Sequence, residues 1–198
     1  MKATDFNLSK DIVYDVHKGM TTFKDTRLVI FDANAIGLLR QSIVKELGWD
    51  KSRALFFKFG YQHGFADFLQ MKTNYEFDSE MDLLASGPVI HTWEGIVQAT
   101  PREIRFDREK GEFYFTGVWS NSYEAQQYLS YNNEATEPVC WTLMGYASGW
   151  CTAFFGKKVL AVEPVCMGKG DSHCEWLIQN LDAWDDRAKP FLPIINLL

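Results

Sequence analysis

The residues best suited to chemistry in this sequence are its four cysteines, Cys140, Cys151, Cys166 and Cys174. Their spacing is not C-x-x-C, so neither a zinc ribbon nor a thioredoxin-type redox pair is indicated. In a chain that lacks a secretory signal, cysteines serve more often as metal ligands, reactive thiols or core residues than as disulfides. The spacing therefore allows a metal site, with buried cysteines that bind no ion as the alternative.

Helical periodicity restricts which cysteines could share an ion. Apolar residues predict a helix over 139–156, which carries both Cys140 and Cys151. At about 1.5 Å of rise per residue these two lie roughly 16 Å apart, too far for ligands that sit about 2.0–2.3 Å from one ion. Cys140 is the better candidate, because a thiolate is stabilised in the first turn of a helix. Cys151 falls in the apolar stripe and is predicted to be a core thiol.

The other two cysteines flank a glycine-containing turn. Cys166 and Cys174 lie on either side of 168–170, so a fold-back of the chain would bring their sulfurs together. A closed tetrahedral site needs a fourth ligand, and the nearby choices are Glu163 and His173. A proline after Glu163 favours a bend that would turn this carboxylate towards Cys166, whereas His173 is adjacent to Cys174. These residues alone leave the fourth ligand open.

The elements that must position these residues are helices and strands in mixed order. Helices are predicted over 34–48, 52–71, 122–131 and 139–156, and another from 81 that is interrupted at Gly87-Pro88. Strands are predicted over 96–106, 112–119, 159–165 and 174–178. The pattern predicts an α+β fold, with mixed helices, an antiparallel sheet and a small zinc-binding lobe over 138–178.

Charge and hydropathy exclude several function classes. The net charge is −6, and no basic face is visible, so direct contact with nucleic acid is not expected. No stretch reaches the roughly 18 apolar residues that span a bilayer. The N-terminus lacks the apolar core of a signal peptide, and we expect a cytoplasmic protein.

Beyond spacing, several sequence blocks resemble a known family. Pro138–Gly149, Glu163–Cys166 and Gly170–Cys174 resemble the 4-vinyl reductase module in the sensory domains of sigma-54-dependent activators of aromatic catabolism. Phe59–Gly64, Ser86–His91 and the segment 111–124 resemble the upstream parts of the same domains. The resemblance covers about residues 20–188 and is greatest to the phenol-sensor DmpR/MopR/PoxR type.

The resemblance implies a function and a set of site residues. It implies a structural zinc ion held by Cys140, Glu163, Cys166 and Cys174. It also implies that the hydroxyl of a phenol-class effector is bound by His91 and Trp119. A neutral imidazole can accept or donate a hydrogen bond and an indole can only donate, so the pair suits a phenol. Without the resemblance, both would be interpreted as core residues.

The same resemblance implies a domain organisation. It suggests an N-terminal dimerisation segment over 1–25, an aromatic-sensing domain over 26–180, and a linker over 181–198 to an ATPase domain that this sequence lacks. A homodimer is expected, and the apolar end of the chain is expected to pack on a partner or to continue into further sequence. Two departures from the family pattern, Gly117 and Trp150, leave the size of the effector open.

Two other function classes remain as alternatives. A zinc-containing enzyme acting on a small aromatic would need an open coordination position, whereas three thiolates and a carboxylate are typical of a closed structural site. Deaminase and nucleotide-binding motifs are also absent from the sequence. A protein-interaction module without a small ligand would account for the apolar tail, but not for the histidine and tryptophan.

Overall fold

The computed structural model describes all residues, 1–198, and confirms an α+β fold with antiparallel sheets. None of its helices has the length and apolarity that crossing a bilayer requires. The helices are α1 (Leu8–Asp11), α2 (Ala33–Leu47), α3 (Trp49–Asn74), α4 (Glu80–Trp93), α5 (Tyr123–Tyr131), α6 (Trp141–Phe155) and α7 (Leu192–Asn196). The strands are β1 (Ile12–Asp15), β2 (Met20–Phe23), β3 (Thr26–Leu28), β4 (Gln98–Asp107), β5 (Glu112–Ser120), β6 (Val159–Val165) and β7 (Cys174–Asn180).

The larger sheet has the strand order β4-β5-β7-β6, with every neighbouring pair antiparallel. Alternate residues of β5, namely Phe113, Phe115 and Trp119, are buried, as expected when one face of a sheet covers a core. The helix α6 packs over this face, and most of its residues are buried. The core therefore lies between α6 and the sheet, next to the predicted site residues.

Glycines allow α3 and α6 to approach closely. A Cβ atom added to Gly145 would lie 2.1 Å from the carbonyl oxygen of Phe57, and one added to Gly149 would lie 2.0 Å from that of Tyr61. Both distances are far below van der Waals contact, so the two backbones can pack at this separation only without side chains there. The contact fixes α6 against α3 and thereby positions the residues that α6 presents to the sheet.

The predicted interruption of α4 at Gly87-Pro88 is wrong, because α4 continues through Pro88 to Trp93. A proline within a helix leaves the carbonyl four residues earlier without its usual donor. Here that carbonyl belongs to Leu84, and it accepts a hydrogen bond of 3.1 Å from the indole Nε1 of Trp150. A donor from another helix therefore satisfies the group that would otherwise be a reason for the helix to end.

The C-terminal tail also differs from the expectation that it would pack on a partner chain. Phe191, Ile194 and Ile195 are buried within this chain's own core. The ring of Phe191 lies 5.5 Å, centroid to centroid, from that of Phe57 on α3. The apolar character of the tail is thus explained by its packing against α3.

Candidate effector cavity and metal centre

Four residues of the predicted metal site meet at one buried point. The ligand atoms of Cys140, Glu163, Cys166 and Cys174 all lie within 4.8 Å of one another. None of the four is more than 1% exposed. Three sulfurs and one carboxylate oxygen at this separation form a donor set that could hold a metal ion.

Each of these residues is placed by a specific local feature of the chain. Cys140 immediately precedes α6 as its N-cap, one residue before the helix rather than in its first turn. Glu163 and Cys166 face the same point because the pairing of β6 with β7 shifts register between Val162 and Val165. Cys174 is the first residue of β7. The irregularity in β6 supplies the bend that the proline after Glu163 predicted.

The polar atoms around the cluster fit a bound cation. Backbone N–H groups of Val139 and Met167 donate to the sulfurs of Cys166 and Cys174 over 3.5 and 3.3 Å. The sulfur of Cys166 is within hydrogen-bonding reach of the Cys140 thiol, which lowers the pKa of Cys166. Glu163 accepts from the N–H of Cys140 at 3.3 Å through Oε2, while its other buried oxygen, Oε1, has no partner. A buried acceptor without a donor is unusual and is the expected position of a metal bond.

The two residues that were rejected or left open at the sequence level lie outside the cluster. Cys151 is buried on α6 and lines a different cavity. The Nε2 atom of His173 lies 2.9 Å from Oε1 of Glu175, and its Nδ1 lies 3.0 Å from Oγ of Ser172. Of the two candidates for the fourth ligand, the cluster contains Glu163 and not His173.

A separate apolar cavity lies between α4, α6 and the buried face of the sheet. Its aromatic lining consists of His91, Phe115, Trp119, Tyr146, Trp150 and Trp176. The volume of the cavity is about 30 Å³, whereas an engineered apolar cavity that binds benzene measures about 150 Å³. A ring-sized ligand would therefore require the surrounding side chains to move outwards.

The predicted pair, His91 and Trp119, meets at this cavity. Both are almost completely buried, at 5% and 3% exposure. Burial, with a smaller contribution from the charge of His63, lowers the pKa of His91 from 6.5 to about 3. The imidazole is therefore neutral near pH 7 and can either accept or donate a hydrogen bond.

Sequence reasoning missed a polar cluster behind the cavity. The hydroxyl of Tyr146 donates to Oδ2 of Asp67 over 3.0 Å, and Nε2 of His63 lies 3.2 Å from the same oxygen. Glu94 lies beside them with a buried oxygen that has no partner. Tyr146 lies within the 138–149 block, four residues before Trp150, and this helical spacing was the available signal. Nothing local in the sequence connects Asp67 with Glu94.

Comparisons with known proteins agree with this arrangement. A family model described as "Activator of aromatic catabolism" matches residues 7–107, and a model of the 4-vinyl reductase domain matches residues 119–180. The phenol regulator MopR of Acinetobacter guillouiae is 29% identical over 183 residues, which is 91% of this chain and 32% of that protein. The transcriptional regulatory protein XylR of Pseudomonas putida is 26% identical over 180 residues, again 91% of this chain and 32% of that protein.

The fold is also similar to a solved structure. The phenol-responsive sensory domain of the transcription activator PoxR, determined with phenol, superposes with a TM-score of 0.88 at 30% identity. The match covers 98% of this chain and 94% of that one. This chain spans about a third of the length of the curated relatives. All three proteins are regulators or a regulator's sensory domain, which does not support the enzyme alternative.

The family resemblance inferred from the sequence is thereby confirmed, and the chain belongs to the activators of aromatic catabolism, where it corresponds to their sensory domain.

Proposed function

We propose that this chain binds a phenol-class effector in the cavity between His91 and Trp119. The observation that carries the proposal is the placement of a neutral imidazole and an indole on the wall of an otherwise aromatic cavity. Aromatic walls supply most of the affinity for a flat apolar ring, and a few polar groups fix its orientation. The similarity to MopR, a phenol regulator, and to the phenol-responsive domain of PoxR supports the same effector class.

We further propose that the cluster of Cys140, Glu163, Cys166 and Cys174 holds a structural zinc ion. Three thiolates and a carboxylate fill a tetrahedral coordination sphere and leave no open position for catalysis. Cys174 pairs across the sheet with Trp119, and Cys140 caps α6. An ion at this point would therefore stabilise two of the elements that form the cavity wall.

The signal would leave the cavity through packed elements. The helix α6 lines the cavity and packs on α3, and α3 contacts Phe191 of the C-terminal tail. Outward movement of α6 around an effector would change the position of 181–198, which we propose as the connection to an ATPase domain. An effector acts in this way only by binding one arrangement more tightly than another.

A homodimer is part of the same proposal, with residues 1–25 as the candidate contact. Val13, Tyr14 and Val16 in this segment are exposed to 60%, 61% and 81%. Large apolar side chains clustered on a surface are typical of a protein contact.

Calorimetric titration of phenol into the purified chain tests the effector proposal. We expect saturable binding at one site per chain. The substitution His91→Ala should weaken that binding about tenfold or more, because a buried hydrogen bond is lost. The control His17→Ala changes an exposed histidine on the N-terminal segment and should bind phenol like the unmodified chain. Equal affinity of the two variants would remove His91 from the site.

A further inference from the structure

Trp176 is a second indole at the cavity and has no assigned role. It lies on β7, opposite Gly117 on β5, lines the cavity and is only 3% exposed. Its Nε1 atom is buried and has no hydrogen-bond partner. An indole N–H is solely a donor, so this group can be satisfied only by an acceptor.

The other tryptophans show that this is unusual for the chain. Of its seven tryptophans, five donate their indole N–H to a protein oxygen: Trp49, Trp93, Trp141, Trp150 and Trp184. The two that do not are Trp119 and Trp176, and both line the cavity. The unpaired indole donors of the molecule are thus confined to the place where a ligand is proposed to bind.

The ring of Trp176 is held in place by its neighbours. A Cβ atom added to Gly117 would lie 2.2 Å from both Cη2 and Cζ2 of this indole, so the ring occupies the space that a larger residue would fill. Phe115 contacts it edge-on, with centroids 5.7 Å apart, and the ring of Trp119 lies 5.4 Å away. Packing on these sides limits rotation of the ring, and so the donor keeps a fixed place beside the cavity.

We infer that the cavity of this chain selects an effector with two oxygen substituents, of the dihydroxybenzene or methoxyphenol class. One oxygen is the hydroxyl bound by His91 and Trp119, and the second accepts a hydrogen bond from Nε1 of Trp176. The inference rests on the proposed function and extends it from the phenol class to a specific substitution. It also gives a role to the pairing of Gly117 with a tryptophan, since the glycine makes room for the indole.

Matched ligands test this inference. Catechol, resorcinol and hydroquinone are titrated against o-, m- and p-cresol, which have the same shape but carry a methyl group in place of the second hydroxyl. We expect at least one diol to bind about three- to tenfold more tightly than its cresol, the usual effect of one additional hydrogen bond. In Trp176→Phe, which keeps an aromatic ring and removes the donor, the ratio of diol to cresol affinity should fall to about one.

The outcomes separate this inference from the proposal on which it rests. If phenol and the cresols bind but no diol exceeds its cresol, the second anchor is wrong and the phenol site stands. An advantage of a diol that survives in Trp176→Phe also overturns the role of Trp176. If neither phenol nor any diol binds the unmodified chain, both the effector proposal and this inference fail.

Discussion

The imidazole of His91 packs against the ring of Tyr146, with centroids 3.6 Å apart and planes inclined by 31°. Both side chains line the effector cavity, and the hydroxyl of Tyr146 is in turn bound to Asp67 on α3. His91 is therefore oriented by a ring that α3 holds in place. A binding group positioned by packing needs less ordering when its ligand arrives.

Replacing Tyr146 by Phe should separate the ring from its hydroxyl. The variant keeps the contact with His91 and loses the hydrogen bond to Asp67, so phenol affinity should stay within about twofold while unfolding free energy falls by about 1 kcal/mol. Urea denaturation and calorimetry on the same preparation measure both quantities. Loss of phenol binding in a folded Tyr146→Phe would mean that the hydroxyl belongs to the binding site.

The metal proposal predicts opposite results for two cysteines. Cys166→Ser should lose bound zinc and unfold at a markedly lower temperature, because the binding energy of a structural ion is folding energy. Cys151→Ser, the matched control at another buried cysteine, should retain one zinc per chain. Elemental analysis with thermal unfolding measures both. Full zinc content in Cys166→Ser, or loss of zinc in Cys151→Ser, would contradict the assignment.

The buried carboxyl of Glu94 predicts a pH-dependent stability. Burial, followed by the charge of Asp67, raises the pKa of Glu94 from 4.5 to about 8. The folded chain therefore retains a proton that the unfolded chain releases, and this contribution to stability is present below pH 4.5 and lost as pH rises through 8. Glu94→Gln should remove the effect and increase unfolding free energy relative to the unmodified chain at about pH 8, by about 1–3 kcal/mol, with less gain at about pH 5. Glu109→Gln, at an exposed position, is the control. A gain for Glu94→Gln that does not grow with pH would show that this carboxyl is ionised in the folded chain.

The continuation of α4 through Pro88 can be tested by a double-mutant cycle. Trp150→Phe should cost about 1–3 kcal/mol of unfolding free energy, because the carbonyl of Leu84 loses its donor. In Pro88→Ala the restored backbone N–H can bond that carbonyl instead, so Trp150→Phe should cost less in that background. Additive effects in denaturant unfolding would show that the indole bond does not compensate for the proline.

The metal cluster was more accessible to sequence reasoning than the cavity. Helix rise alone separated Cys140 from Cys151, because both lie on one periodic segment whose length per residue is fixed. The choice of Glu163 over His173 depended on a shift of strand register, which local residue types suggest but do not determine. The resemblance, and not the spacing, supplied that fourth residue.

The cavity depends on contacts between residues distant in sequence. His91 and Trp119 were named from the resemblance, whereas the packing of Tyr146 on His91 requires the relative placement of α4 and α6. Likewise, Pro88 was expected to interrupt its helix because the donor that compensates for it, on Trp150, lies 62 positions further along the chain. Local patterns contain no information about such partners.

The central claim is that a phenol ring lies in the cavity with its oxygen between His91 and Trp119. A crystal structure of the chain grown with phenol measures this directly. We expect one phenol with its oxygen within about 3.2 Å of a ring nitrogen of His91 and of Nε1 of Trp119, and an enlarged cavity around it. Phenol bound elsewhere, or the cavity unchanged at saturating phenol, would contradict the account.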